Sequence, residues 1–179
     1  MNSIAMLFKK EKAITEAIDW NAVFQEYFPR VYNFFRYRVG EDALAEDLTS
    51  AAFEKAWRSR SQYRQDVSAI GTWLFAIARN VANDHFRRIK FEVGLEALEE
   101  MPDSFSVEEH FQRADESRRL EILLKQLSPR TRELIALKYG AEMNNREIAQ
   151  VTSLSESNVG TILNRAVNVL RTTWEMQHE

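Results

Sequence analysis

The feature that most constrains this chain is a pair of closely spaced helix starts in "NNREIAQVTSLSESNVGTILNRAV", residues 144 to 167. Asn144 can cap a helix, and Glu147 three residues later completes the spacing of a capping box. Met143 and Ile148 stand at the two positions of a hydrophobic staple. The device then recurs: Ser155 is the second cap, with Leu154 and Val159 at its staple positions. Only "TSL" lies between, so the chain has room for a tight helix–turn–helix corner. In the second helix Val159, Leu163, Ala166 and Leu170 recur at helical spacing and predict a buried stripe. Ala149 in the first helix allows close approach. The opposite face opens with Ser155, Glu156, Ser157, Asn158 and Thr161, followed by Asn164, Arg165 and Asn168. Such a face suits the major groove: Asn pairs bidentately with adenine, and Ser or Thr contacts several bases. A packed helical hairpin with a polar outer face satisfies the same pattern, and this stretch alone leaves both readings open.

Upstream, "ESRRLEILLKQLSPRTRELIALKYG" predicts two more helices. Leu120, Leu123, Leu124 and Leu127 give the first its core face. Ser128 followed by Pro129 is a cap with Pro at the first helical position, where its missing N–H costs nothing. Leu134, Ile135, Leu137 and Tyr139 make the next helix strongly apolar, and Gly140 is expected as its left-handed stop. Residues 113–179 therefore read as a compact four-helix unit.

The N-terminal half is helical too. "AVFQEYFPRVYNFFRYRVG" is rich in aromatics, mostly expected in a core, with Gly40 ending the helix. In "EDALAEDLTSAAFEKAWRSRSQY", Leu44, Leu48, Ala52 and Ala56 fall every fourth residue, with Phe53 and Trp57 on the shoulders and Asp47, Ser50 and Glu54 facing outward. In "GTWLFAIARNVANDHFRR", Leu74, Ile77, Ala78, Val81 and His85 predict one face. Thr72, Ala76, Arg79, Asn80, Asn83 and Arg87 lie opposite, with Trp73 at the boundary. Arg and Asn beside an aromatic suit phosphate, base edges and a stacked base, although a solvated amphipathic helix looks the same.

Five Gly and three Pro in 179 residues leave long helices uninterrupted, so the expected class is all-α. Residues 93–112 carry six carboxylates and no Lys or Arg, and include Gly94 and Pro102. They read as an acidic linker between two small helical domains, 19–92 and 113–179, after an N-terminal extension, 1–18. A solvated loop within one domain is the simpler alternative. No Cys is present, which excludes a disulfide framework and a thiolate zinc site and fits a cytoplasmic protein. No apolar run approaches the ~20 residues of a membrane span, and the lysines after "IAMLF" are in the wrong order for a signal peptide. His85, His110 and His178 lack metal-ligand spacing and no phosphate-cradling Gly loop exists, so neither an enzyme, a metal nor a cofactor is expected. The formal net charge of −3 sits awkwardly with DNA binding, unless a partner assists.

Taken in order, "AEDLTSAAFEKAW", "TWLFAIARNVANDHFRR", the acidic linker and "LSPRTRELIALKYGAEMNNREIAQVTSLSESNVGTILNRAVNVLR" resemble the bacterial sigma-70 family, and within it the extracytoplasmic-function (ECF) group. The resemblance covers about residues 19 to 174, and the linker is too short for the middle domain of larger sigma factors. It implies a sigma-2-like and a sigma-4-like domain in a promoter-recognition subunit of RNA polymerase. Asp47, Ser50, Phe53, Glu54 and Trp57 would bind the clamp helices of the largest catalytic subunit. Tyr63, Trp73, Arg79, Asn80, Asn83 and Arg87, with the loop "SRSQYRQDVSAI", would read and open the minus-ten element. The linker would run toward the RNA exit path. The C-terminal unit would sit on the flap of the second-largest subunit and read the minus-thirty-five element through Ser155, Ser157, Asn158, Thr161 and Arg165. An anti-sigma factor, often membrane-anchored in this family, is the further implied partner. Gly160 and Ile162 stand where the family often has Lys or Arg, and Ser153 where the turn often has Gly. A standalone helix-turn-helix regulator and a helical protein-binding adaptor are the competing functions.

Overall fold

The computed structural model describes residues 18–93 and 115–176; nearly all of the proposed extension and of the acidic linker lies outside them. The order is α1 (Trp20–Val39), α2 (Asp42–Ser59), a 3₁₀ turn (Arg60–Gln62), α3 (Ile70–Val93), α4 (Asp115–Gln126), α5 (Pro129–Ile135), a π-helical turn (Ala136–Gly140), α6 (Asn145–Thr152) and α7 (Glu156–Met176). The chain is all-α, with no strand among the described residues.

The helices begin and end for local reasons. Asp19 caps α1 by accepting from the backbone N–H groups of Asn21 and Ala22 at 3.0 and 3.1 Å. Gly40 closes that helix in the left-handed region at φ 70°. Ser128 accepts from the Thr131 N–H at 3.2 Å, with Pro129 in the first turn of α5.

Three helices form the N-terminal unit. Val31, Phe34 and Phe35 of α1 meet Ala45, Leu48, Ala52 and Ala56 of α2, all buried. From α3 the buried line is Leu74, Phe75, Ala78 and Ala82. The expected face of Leu74, Ile77, Ala78, Val81 and His85 is therefore rotated: Ile77, Val81 and His85 are only partly buried, while Phe75 and Ala82 are fully covered. Phe75 decides the rotation, because it packs edge-on against Phe34 at 6.1 Å and Tyr27 at 6.5 Å.

In the C-terminal unit Leu123 and Leu124 of α4, Leu134 and Ile135 of α5, Ile148 and Val151 of α6, and Val159, Leu163 and Ala166 of α7 are buried. Tyr139 is exposed, unlike the rest of its apolar helix.

Gly140 is not the left-handed stop expected, since among the described glycines only Gly40 has positive φ. Gly140 lies in the π-helical turn against the backbone of α1. A Cβ there would stand 2.8 Å from the Asn33 carbonyl oxygen and 2.9 Å from the Phe34 nitrogen. The glycine is needed for close approach between the two units, which share one continuous apolar cluster.

Candidate nucleic-acid interface

The helix-turn-helix corner is built as its caps predict. The Asn144 side chain accepts from the Glu147 N–H at 2.9 Å, and the Glu147 carboxylate accepts from the Asn144 N–H at 2.8 Å. Ser153 turns the chain in the left-handed region at φ 58°. Ser155 then accepts from the Asn158 N–H at 3.2 Å and opens α7. Val159, Leu163 and Ala166 seat α7 in the core, which leaves Ser157, Asn158, Thr161 and Arg165 exposed along one side. The Thr161 hydroxyl donates to the Ser157 carbonyl at 3.0 Å, which leaves its oxygen able to accept. Arg165 comes two turns into the helix, beyond the residues that enter a groove first.

The second polar face is on α3. Asn80 and Arg87 are exposed, and Asn83 is half-buried. Asp84 accepts from Arg87 at 2.9 Å and faces the Lys55 ammonium at 3.8 Å, tying α3 to α2. Arg79 is engaged otherwise. Its Nε donates to the Glu133 carboxylate at 3.0 Å and its Nη1 reaches the Val151 carbonyl at 3.5 Å, both in the C-terminal unit. Trp73 is half-buried between Trp20 and Tyr63, with ring centroids at 6.0 and 5.2 Å.

Tyr63 departs from the expected stacking role. It is 5 % exposed and its hydroxyl donates to the Ser68 carbonyl at 3.0 Å. Burial, and secondarily Tyr27, raises the phenol above its ordinary pKa, so the hydroxyl stays a donor. The ring fastens the loop before α3 from beneath instead of offering a platform to a base. Of the six residues expected at the minus-ten face, Asn80 is exposed, Arg87 is exposed but paired with Asp84, Trp73 and Asn83 are partly buried, and Arg79 and Tyr63 are held by other parts of the protein.

The third face belongs to α2. Asp47, Ser50 and Glu54 are exposed, with Trp57 at 52 % and Phe53 half-buried. Two aromatics of α1, from a segment whose aromatics were mostly expected in the core, extend this face. Phe24 and Phe28 are exposed and meet Phe53 at 4.8 and 6.0 Å, while Trp20 meets Trp57 edge-on at 6.4 Å. The result is a row of carboxylates and hydroxyls beside a partly open aromatic patch, an arrangement frequent at protein interfaces. Phe24 and Phe28 are one helical turn apart, which signals a shared side but not which side.

Among the described residues no group of three or more His, Asp or Glu is placed to hold a metal. No described helix is long and apolar enough to cross a membrane.

Two family models match the chain. Residues 23–92 match the model of Sigma-70 region 2, and residues 117–170 that of Sigma-70, region 4. The chain is 32 % identical over 163 residues to the ECF RNA polymerase sigma factor BldN of Streptomyces coelicolor, covering 87 % of this chain and 60 % of that protein. It is 30 % identical over 152 residues to the ECF RNA polymerase sigma factor SigM of Bacillus subtilis, covering 80 % of this chain and 88 % of that one. The fold is shared with the sigma factor RpoE of Bartonella quintana, solved in complex with the anti-sigma factor NepR, at a TM-score of 0.73 and 21 % identity over 88 % of this chain and 97 % of that one. CnrH, solved with the cytosolic domain of CnrY, gives 0.63 and 20 % identity over 93 % and 95 %. The chain belongs to the sigma-70 family of RNA polymerase sigma factors, in its extracytoplasmic-function group.

Proposed function

We propose that this chain is the non-catalytic subunit that directs core RNA polymerase to a set of promoters and helps open them. The observation that carries the reading is the exposed row Ser157, Asn158, Thr161 and Arg165 on α7, fixed in direction by the buried Val159, Leu163 and Ala166. In a helix-turn-helix this is the side that enters the major groove. The row serves the minus-thirty-five element, with Ser155 closing its N-terminal end. The Asn80, Asn83 and Arg87 side of α3, with Trp73 and Arg79, serves the minus-ten element. Asp47, Ser50, Phe53, Glu54 and Trp57 of α2 take the clamp helices, and the C-terminal unit takes the flap.

The domain limits that go with this reading are 19–92 and 113–179, joined by the acidic residues 93–112. Action in the cytoplasm follows from polymerase as the partner. Because polymerase supplies most of the nucleic-acid contact, the subunit's net charge of −3 is no obstacle. An anti-sigma factor, possessing its own membrane anchor or not, is the natural antagonist, since the RpoE and CnrH neighbours were solved bound to NepR and to the CnrY cytosolic domain.

Reconstitution with bacterial core polymerase and transcription from a promoter library tests the reading. Promoter-selective transcription that requires this chain supports it. Selective duplex binding by the chain alone, with no pull-down of core polymerase, favours the standalone regulator.

A further inference from the structure

Gly160 stands near the start of α7, half-buried, between the fully buried Val159 and the exposed Thr161. A glycine inside a helix costs stability relative to Ala. Nothing in the fold of this chain asks for it. Gly40 alone among the described glycines has positive φ, so Gly160 is not a left-handed position. A Cβ at 160 would meet only the Nδ2 of Asn145, at 3.5 Å, an ordinary contact. The glycine therefore leaves a gap on α7, and Asn145 is the side chain beside that gap.

Asn145 is the first residue of α6, and the Asn144–Glu147 capping box fixes where that helix begins. Asn145 is half-buried, and its Oδ1 is buried without a hydrogen-bond donor. A buried acceptor with no partner is unfavourable and uncommon. Rotating the amide into the gap brings Oδ1 out beside Nδ2. An amide presented in this way pairs one acceptor and one donor with the N6–H and N7 edge of adenine. The direction also fits. Successive helical residues turn by about 100°, so Asn158 and Gly160 lie on opposite flanks of α7, with Ser157 and Thr161 between them. Asn158 supplies an amide on one flank of the exposed row. On the other flank α7 has no side chain at 160, and the amide comes from α6.

We infer that Asn145 is a specificity-determining residue of the minus-thirty-five face: through the gap at Gly160 it reads an adenine at a position other than those read by Asn158. This rests on the reading of α7 as the minus-thirty-five helix. The helix propensity lost at Gly160 is offset by a base contact that a large side chain there would block.

The test is transcription by reconstituted holoenzyme from a promoter library randomised in the minus-thirty-five element. Circular dichroism and pull-down of core polymerase check that each variant folds and assembles. Asn145→Ala should lower the preference for adenine at one position by roughly 5–150-fold, the size of one bidentate base contact. It should leave the positions altered by Asn158→Ala as they were. Asn145→Asp keeps the shape and the acceptor but loses the donor. It should move the preference at that position from adenine toward cytosine, whose N4 amino group donates to a carboxylate. If the Ala variant does not fold, Asp carries the test, since a negative charge in the first turn of α6 favours the helix. Gly160→Leu plugs the gap and should erase the same preference, after which Asn145→Ala should change nothing further. A merely structural role for Asn145 alters stability or overall strength and leaves every base preference in place. That result overturns the inference, as does uniform weakening, the lack of any adenine preference, or an Asn145 effect that persists in Gly160→Leu. Silent Asn145 variants beside a shifted preference for Asn158→Ala remove the role of Asn145 alone, whereas silence in both removes the reading of α7 as well.

Discussion

Asn158 projects from α7 immediately before the fully buried Val159, so the packing of one residue aims the other. Replacing Asn158 by Ala should change preference at one or two minus-thirty-five positions, by ~1–3 kcal/mol for a lost bidentate base contact. Arg165 lies deeper in the helix and suits phosphate. Arg165→Ala should weaken all promoters alike and lower the salt slope by about one, read from binding across a salt series. Gly160 stands between the two in sequence. A Cβ there would meet only the Asn145 side-chain nitrogen at 3.5 Å, an ordinary contact. Gly160→Ala should therefore stabilise the unit by up to ~1 kcal/mol in urea unfolding, the difference in helix propensity. A loss of stability would mean that α7 needs the glycine for packing. Val159→Asp should abolish the fold of this unit, because it buries a charge without a partner; a native circular dichroism spectrum would contradict the assigned stripe.

At the scale of elements, α2 offers Asp47, Ser50 and Glu54 beside Phe53 and Trp57, with Phe24 and Phe28 of α1 enlarging the apolar part. Asp47→Arg should weaken core-polymerase binding while thermal unfolding stays unchanged, since Asp47 is exposed. Equal affinity in a pull-down titration would move the interface off this helix. What was legible in the sequence was whatever is decided within a few residues: the Asn144–Glu147 box, the Ser155 and Ser128 caps, and the stripe of α7. What was not legible depends on a distant partner. The α3 face turned on Phe75 meeting Phe34, Tyr63 was buried by Trp73 and Ser68, and Gly140 answered to the backbone of Asn33. Each has a local reading that is physically sound, namely amphipathic face, loop aromatic and helix stop. In each the tertiary contact wins because it settles burial for a large ring or for a backbone approach that no side chain can share.

Across the whole molecule the two units have separate tasks but meet through Gly140, Glu133 and three arginines of the N-terminal unit. The α7 row and the α2 row are open in this arrangement, and only the α3 face is partly covered. That asymmetry fits a subunit whose DNA contacts are completed on polymerase. Promoter reading by α7 is checked most directly by transcription with reconstituted holoenzyme from promoters carrying every single-base change in the minus-thirty-five element, with the wild-type chain, Asn158→Ala and Arg165→Ala in parallel. Transcription should depend on this chain, with an altered base preference at one or two positions for Asn158→Ala and a uniform decrease for Arg165→Ala. If changes at 157, 158 and 161 leave every base preference as it was, α7 does not read the promoter and the assignment of this face is wrong.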